Sequence, residues 1–378
     1  MKWLNFVARQ KEMIRRFRMN KEDEMEESKV KIRFFDFHST FNFKLVSQLS
    51  DQALLDGAIV ENLDFSYPVF IPKKRKNQTS AIILLHGLNE KNWDKYLSWA
   101  EYLALHTSKP VILFPIAYHM NRSPVLWSDP RFMSILVDKR KIEMQNSKSL
   151  CFANVALSER LSEDPSRFYT SGRQTVEDLH QLALTLHEGN HPLFEKGTKT
   201  DFFAYSIGSF LAEITLMINP DKLFDKSRLF VFCGGSVFNQ MFGESKFIMD
   251  NIAFEKLMDY FLNSWSKIIS TDKWWHDATS KAFKMMRHSD EDKYDRERFF
   301  KEMGKRIKGI SLKQDTVMPF EGVKACMGFK NAKKRFSVLD FPFPYSHEVP
   351  FPTNPQIPPK LVNHSFVEVF SKAALFLG

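Results

Sequence analysis

Residues 200–220 read TDFFAYSIGSFLAEITLMINP, and this stretch decides the fold class of the chain. Its first part is a short apolar run of strand length, and its second part repeats apolar residues at helical spacing. Between them, Ala204 to Gly208 form a small-x-Ser-x-Gly segment, placed where the strand passes directly into the helix. Small residues are required in so tight a turn, which exposes the hydroxyl of Ser206 above a sheet. The stretch therefore predicts a strand–turn–helix unit with a candidate nucleophile at the turn.

Other apolar runs of strand length occur on both sides of this unit. They lie at residues 58–72 (a strand or hairpin), 81–87, 110–119, 228–235, 306–315 and 334–342. Helical patterns occur between or after them, at residues 92–107, 173–189 and 363–378. Continuous apolar strands that alternate with helices are typical of a parallel sheet covered on both faces. The sequence therefore predicts an α/β fold with a mostly parallel sheet flanked by helices.

The domain organisation follows from where the strand pattern begins and where it is interrupted. Residues 1–57 begin with a charge-rich, weakly amphipathic stretch, and we predict that they form an N-terminal extension to one domain at 58–378. Between the strands that end near 235 and begin near 306, apolar residues recur only at helical spacing. We predict that residues 236–305, approximately, form a helical cap inserted before the penultimate strand.

Composition limits the class of partner. The chain has 54 Lys and Arg against 45 Asp and Glu, a formal net charge of +9, and contains 37 Phe. The positive excess fits anionic partners in general, but no aromatic–basic cluster is present, so we favour a solvated lysine-rich surface and expect no nucleic acid. No segment reaches the roughly 18 apolar residues of a membrane span. Three cysteines without metal-ligand spacing favour a reducing compartment, so we expect a cytoplasmic protein; its oligomeric state is not predicted.

Three further segments carry residues that can act with Ser206. His86-Gly87-Leu88-Asn89 ends the apolar run AIILL, Asp315 follows the run ISL, and His347 follows the run RFSVLD. A histidine in such a loop can take the proton of a serine, and a carboxylate at a strand end can fix its tautomer. These segments are more informative together than the serine motif alone.

Alternatives exist for two of these residues and for the kind of site. Glu321 is the fallback acid, since an aspartate at position 315 also fits a helix N-cap. His364 competes with His347, although it lies well beyond the last strand, at the start of the final helix. His276 and Asp277 are adjacent on a helical pattern and point in different directions. No metal-binding motif or glycine-rich phosphate loop is present, so we predict no metal and no cofactor.

Over about residues 60–378 the sequence resembles the α/β-hydrolase superfamily of serine esterases and lipases. The resemblance rests on the serine motif, the His-Gly-x loop, the Asp-x-Val-x-Pro segment at 315–319 and the chain order Ser, Asp, His. Ala204 departs from the family's usual G-x-S-x-G, which leaves the nucleophile in place. The resemblance implies an α/β-hydrolase fold in which Ser206 is the nucleophile, Asp315 the acid and His347 the base.

The resemblance also implies an oxyanion hole and a class of reaction. The backbone amides of Leu88 and Ile207 would form the oxyanion hole, and the protein would be a serine hydrolase that cleaves an ester, thioester or amide through an acyl-enzyme. We expect a small-molecule acyl substrate, contacted by three residues next to these elements: Asn89, His119 and Tyr205. For His119, which ends a predicted strand beside the site, packing in the wall of the site is the alternative and the commoner role of such a residue.

The aromatic residues of the cap have two interpretations. They either line an apolar acyl site or pack within the cap; they are Phe254, Phe261, Trp265, Trp274 and Trp275. The alternative function is that of a binding protein that keeps the fold without turnover, since one fold hosts many functions.

Overall fold

The computed structural model describes residues 5–22, 29–50, 52–73, 78–265, 267 and 277–378. These ranges form one sheet of eight strands in the order β1-β2-β4-β3-β5-β6-β7-β8. The strands are β1 (Val30–His38), β2 (Asp64–Pro72), β3 (Ser80–Leu85), β4 (Val111–Leu113), β5 (Lys199–Tyr205), β6 (Leu229–Phe232), β7 (Ile307–Leu312) and β8 (Phe336–Leu339). β2 is antiparallel to both β1 and β4, and every other neighbouring pair is parallel. The predicted mostly parallel α/β sheet is confirmed.

Helices cover both faces of the sheet. They are α1 (Phe6–Arg16), α2 (Gln52–Asp56), α3 (Val60–Leu63), α4 (Asp94–Thr107), α5 (Pro130–Glu143), α6 (Val155–Glu163), α7 (Arg167–Glu188), α8 (Ile207–Ile218), α9 (Asn251–Asp259), α10 (Ala278–Met285), α11 (Lys293–Met303), α12 (Phe320–Met327), α13 (Phe329–Arg335) and α14 (Pro359–Leu377). Within the described ranges, no helix is long and apolar enough to cross a membrane.

The core has two layers because side chains alternate between the faces of a strand. In β3, Ile82 and Leu84 pack beneath α1, α4 and α14, whereas Ile83 and Leu85 pack beneath α7 and α8. The central strands are buried on both faces, which is why their sequences read as continuous apolar runs.

The N-terminal region contributes to the sheet. β1 lies within residues 1–57, the predicted N-terminal extension, and pairs with β2 along its whole length, from Val30 opposite Pro72 to His38 opposite Asp64. Helix α1 packs on α4 and α14. The segment at 58–72 is a short helix followed by β2, and one of the two antiparallel partners of β2, the strand β1, comes from upstream in the chain. A boundary near residue 57 therefore separates two strands that are hydrogen-bonded to each other.

The region predicted as a cap, 236–305, lies between β6 and the penultimate strand β7, and its described part contains α9, α10 and α11. Helix α9 packs against α6, which belongs to the long connection between β4 and α7. A buried ion pair joins these two chain segments: Arg140 Nε donates to Asp250 Oδ2 at 2.6 Å. The region predicted as a cap therefore packs against this connection.

Candidate active site

Ser206 occupies a sharp turn between β5 and α8. Its backbone has φ 55° and ψ −129°, a conformation that few non-glycine residues adopt and that is retained where the surrounding structure enforces it. The glycine two positions later is required by a close approach, since a Cβ at Gly208 would lie 2.7 Å from the carbonyl oxygen of His86. The small-x-Ser-x-Gly pattern is therefore explained by the packing of this turn against the end of β3.

The structure brings Ser206, His347 and Asp315 into one hydrogen-bonded line. Ser206 Oγ lies 2.7 Å from His347 Nε2, and His347 Nδ1 lies 2.8 Å from Asp315 Oδ2. Each of the three residues is 3% exposed. A carboxylate only accepts hydrogen bonds, so Nδ1 carries the proton and Nε2 is left to accept the hydroxyl proton of the serine. The arrangement can perform nucleophilic chemistry with a serine, a base and an orienting acid.

The loop after β7 fixes the position of the carboxylate. Asp315 Oδ1 accepts hydrogen bonds from the backbone N–H groups of Val317 at 3.0 Å and Met318 at 2.8 Å. The Cys233 thiol at the end of β6 is buried nearby, and burial together with the charge of Asp315 raises its pKa. The place of Cys233 beside the acid follows from the parallel pairing of β6 with β7.

The alternative acid and base lie away from Ser206. Glu321 is on α12, where its side chain is 74% exposed and forms an ion pair with Lys324 at 2.5 Å. His364 lies on an exposed face of α14. Neither side chain hydrogen-bonds to a member of the line described above.

The His-Gly loop after β3 presents a backbone N–H next to the serine turn. His86 is fully buried, and its Nε2 accepts a hydrogen bond from Ile116 N at 2.9 Å while Nδ1 lies 2.8 Å from the Gly87 oxygen. Burial lowers the pKa of His86, so the neutral ring holds the loop in place. Among the residues that the structure describes, the N–H groups of Leu88 and Ile207 have no hydrogen-bond acceptor. Leu88 and Ile207 line one pocket together with Ser206.

Two pockets meet at this point, and Leu88, Phe168 and Ile207 line both. We call the first the apolar pocket. It reaches Ser206 and is otherwise lined mainly by apolar side chains: Phe238, Met241, Ile248, Met249, Phe254, Leu257, Met258, Val317 and Met318. We call the second the cationic pocket. More than half of its lining residues are apolar, but unlike the apolar pocket it also has a polar wall, which consists of Asn89, Lys91, Tyr118, His119, Arg160, Arg167 and Ser171.

The predicted cap aromatics are divided between pocket and core. Phe254 lines the apolar pocket, whereas Phe261 and Trp265 are fully buried in the core beneath it. Trp274 and Trp275 lie outside the described residues.

The three predicted substrate-contacting residues have different positions. Asn89 and His119 line the cationic pocket. Tyr205 lines neither pocket: its ring is 1% exposed and stacks on the ring of His347, and its hydroxyl donates to the backbone carbonyl of His347. The correction for Tyr205 has a simple cause, because the residue before Ser206 is the last of β5 and its side chain points into the core.

Sequence reasoning missed Lys91, Tyr118 and Arg160 as possible ligand contacts. Lys91 lies three residues beyond Leu88 in the same loop, and this proximity was the only feature of the sequence that could have indicated a ligand contact. Tyr118 has φ 64°, a left-handed conformation, and its N–H donates to Asn62 Oδ1 at 3.1 Å. Arg160 comes from α6, far from the other residues in the chain. In the described ranges, no group of three or more His, Cys, Asp or Glu side chains could hold a metal ion, and His276 lies outside them.

The comparisons with known proteins concern the fold. A thermostable esterase from Pseudomonas putida has a TM-score of 0.50 and 8% identity, with 93% of this chain and 84% of that chain covered. Carboxyl esterase 2 of the fungus Tuber melanosporum covers 98% of this chain and 99% of its own at 8% identity, with a TM-score of 0.47. The strand order and the first of these likenesses define an α/β-hydrolase fold, as the sequence predicted.

The chain belongs to a family described as a family of unknown function, DUF6051, whose profile matches residues 4–378. No curated protein matches the sequence.

Proposed function

We propose that the protein is a serine hydrolase that cleaves an ester, thioester or amide through an acyl-enzyme. The observation that carries the proposal is the hydrogen-bonded line from Ser206 through His347 to Asp315, with the serine on a strained turn at the carboxyl edge of the sheet. A surface serine has no reason to adopt such a conformation or to be held in this way by a buried histidine and a buried carboxylate.

The chemistry follows from the atoms that face one another. His347 Nε2 takes the proton of Ser206 as Oγ attacks the acyl carbon, and a tetrahedral intermediate forms. The backbone N–H groups of Leu88 and Ile207 then donate to its oxyanion; each such donor is typically worth about 10²–10³ in turnover. His347 returns the proton to the leaving group as the bond to it breaks. Water, deprotonated by the same histidine, then releases the acid and restores the serine.

Asp315 and Tyr205 hold the base in place. The carboxylate fixes the tautomer of His347 and stabilises the imidazolium that forms during the reaction. Tyr205 enters the proposal as a positioning residue, because its hydroxyl bonds to the backbone of His347 and its ring lies against the imidazole. The apolar pocket that reaches Ser206 favours an apolar substituent on one side of the scissile bond.

Labelling with a fluorophosphonate probe tests the proposal. The probe reacts with serines that an adjacent base activates, so the wild-type protein should label and Ser206→Ala should not. Ser337→Ala, an exposed serine on β8, is the matched control and should label as the wild type does.

The alternative is a binding protein that keeps the fold without turnover. Wild-type protein that unfolds cooperatively but does not label would contradict the proposal and favour this alternative. Labelling that persists in Ser206→Ala would place the nucleophile elsewhere.

A further inference from the structure

The cationic pocket adjoins the reacting atoms. It shares Leu88, Phe168 and Ile207 with the apolar pocket, and Leu88 and Ile207 carry the two unoccupied N–H groups next to Ser206. A substrate whose scissile bond lies at Ser206 therefore extends one substituent into the apolar pocket and another into the cationic pocket. The residues that line the cationic pocket indicate the chemistry of the substituent that enters it.

Two of the three cations in this wall are already matched by carboxylates. Arg160 and Arg167 both bond to the buried Asp56, at 2.9 Å and 2.8 Å respectively. Arg167 also pairs with Glu163. Two guanidinium groups thus face two carboxylates, and their charges balance.

Lys91 is the unmatched cation. In the part of the chain that the structure describes, its ammonium group forms no ion pair with an acidic side chain, and none of the described residues lining the pocket is acidic. Burial, together with the charge of Arg160, lowers the pKa of Lys91 to about 8, so the side chain is still mostly charged at neutral pH. A largely buried ammonium without a counter-charge is unfavourable unless a ligand supplies one.

Two further polar groups in the wall have no partner. The Nδ1 of His119 lies 2.8 Å from the carbonyl oxygen of Ala117, which leaves Nε2 buried and without a hydrogen bond among the described residues. The hydroxyl of Tyr118 is likewise buried and unpartnered there. His119 is 6% exposed, so its unpartnered nitrogen is a cost to the folded protein that a polar ligand would remove.

We propose that the cationic pocket binds a carboxylate of the substrate through Lys91, so that the substrate is an ester or amide with one apolar arm and one anionic arm. A single unmatched positive charge fits a singly charged group, and a carboxylate can also accept a hydrogen bond from the Tyr118 hydroxyl. His119 Nε2, the unprotonated nitrogen, accepts a hydrogen bond from a donor on the same arm. This inference rests on the proposed function, since it assigns the substrate class of the same site.

Two matched pairs of esters test it. In one pair the carboxylate is at the end of the acyl chain: the para-nitrophenyl monoester of adipic acid is compared with para-nitrophenyl hexanoate. In the other pair it is on the leaving group: para-carboxyphenyl butyrate is compared with its methyl-capped form. We expect kcat/KM to favour the carboxylate by roughly tenfold or more in one of the pairs. Equal values within both pairs would overturn the inference.

Variants of Lys91 assign the preference to this residue. Lys91→Met keeps the length of the side chain and removes the charge, so the ratio of the two kcat/KM values should fall to near one, mainly through KM. Lys91→Arg should restore much of the ratio. Lys139→Met, an exposed lysine on α5, is the matched control and should leave both the ratio and the activity unchanged. A ratio that survives Lys91→Met would contradict the assignment.

A binding measurement separates failure of this inference from failure of the proposed function. Calorimetric titration of Ser206→Ala with the same four esters requires no turnover. If the carboxylate form binds more tightly and Lys91→Met abolishes this difference, carboxylate binding in the cationic pocket is supported. This holds even if the wild-type protein hydrolyses none of the esters. Hydrolysis of the neutral esters without any preference for the carboxylate forms would support the proposed hydrolase function and contradict the inference that the substrate has an anionic arm.

Discussion

At the scale of single residues, Asp315 has two separable roles. Its Oδ1 accepts two backbone N–H bonds that shape the loop after β7, and its Oδ2 faces His347. Asp315→Asn keeps an oxygen for the loop but replaces the acceptor at His347 with a group that can donate, which favours the wrong tautomer. We expect kcat to fall by about 10⁴ with stability nearly unchanged, measured by ester hydrolysis beside denaturant unfolding.

Glu321→Gln is the control for this substitution, because Glu321 is the other acid in the segment and is mostly exposed. Its activity should equal that of the wild type. If Glu321→Gln is the inactive variant and Asp315→Asn remains active, the acid has been assigned to the wrong residue.

At the scale of elements, a buried ion pair joins the region predicted as a cap to the connection between β4 and α7. Arg140 on α5 donates two hydrogen bonds to Asp250, which also caps the N-terminus of α9 by accepting from Ala253 N at 2.8 Å. The Arg140 and Asp250 side chains are 1% and 0% exposed. Asp250→Ala would leave the buried guanidinium of Arg140 without its main partner and would remove the side chain that caps the N-terminus of α9. We therefore expect the free energy of unfolding to fall by about 3–5 kcal/mol. Urea denaturation measures the loss.

Lys139→Ala, one residue before Arg140, serves as the comparison. Lys139 is exposed and pairs only weakly along the helix with Glu143, so its replacement should change stability by less than about 0.5 kcal/mol. Similar losses for both variants would mean that the ion pair does not stabilise the contact between these two chain segments.

At the scale of the whole molecule, a buried carboxyl group makes stability depend on pH. Glu213 on α8 is fully buried, and neither of its oxygens has a hydrogen-bond partner in the described ranges. Burial raises its pKa well above the ordinary value of 4.5. Between these two pKa values the folded state holds a proton that the unfolded state has released. The contribution of Glu213 to the free energy of unfolding is therefore fully present below pH 4.5. As the pH rises above that value, this contribution falls by about 1.4 kcal/mol per pH unit until the pKa of the folded state is reached.

Glu213→Gln removes this titration, so its stability relative to the wild type should increase with pH. Urea unfolding from about pH 5 to about pH 9 measures the difference. Glu255→Gln, on the exposed side of α9, is the control and should give a curve parallel to that of the wild type. A parallel curve for Glu213→Gln as well would show that the carboxyl is not protonated in the fold.

The sequence predicted the central sheet because buried parallel strands are continuous apolar runs, as in β3 and β5. It did not predict β1, whose alternating charged residues lower its hydropathy and whose partner β2 comes about 30 residues later. Chain order and strand ends were enough to bring together Ser206, Asp315 and His347. The cationic pocket was not predictable, because its wall combines the loops after β3 and β4 with two helices, and no local pattern indicates that they converge.

The side chain of Asn89 connects two separate segments of the chain. Its side-chain nitrogen donates to Ala153 O at 2.9 Å and to Phe247 O at 2.8 Å, and it directly follows Leu88. The chain segments that contain Ala153 and Phe247 are thus both hydrogen-bonded to one side chain, in the loop that we propose stabilises the oxyanion. Separating these two segments would break one or both bonds. In the proposed reaction, this loop would therefore be best ordered when the two segments lie together.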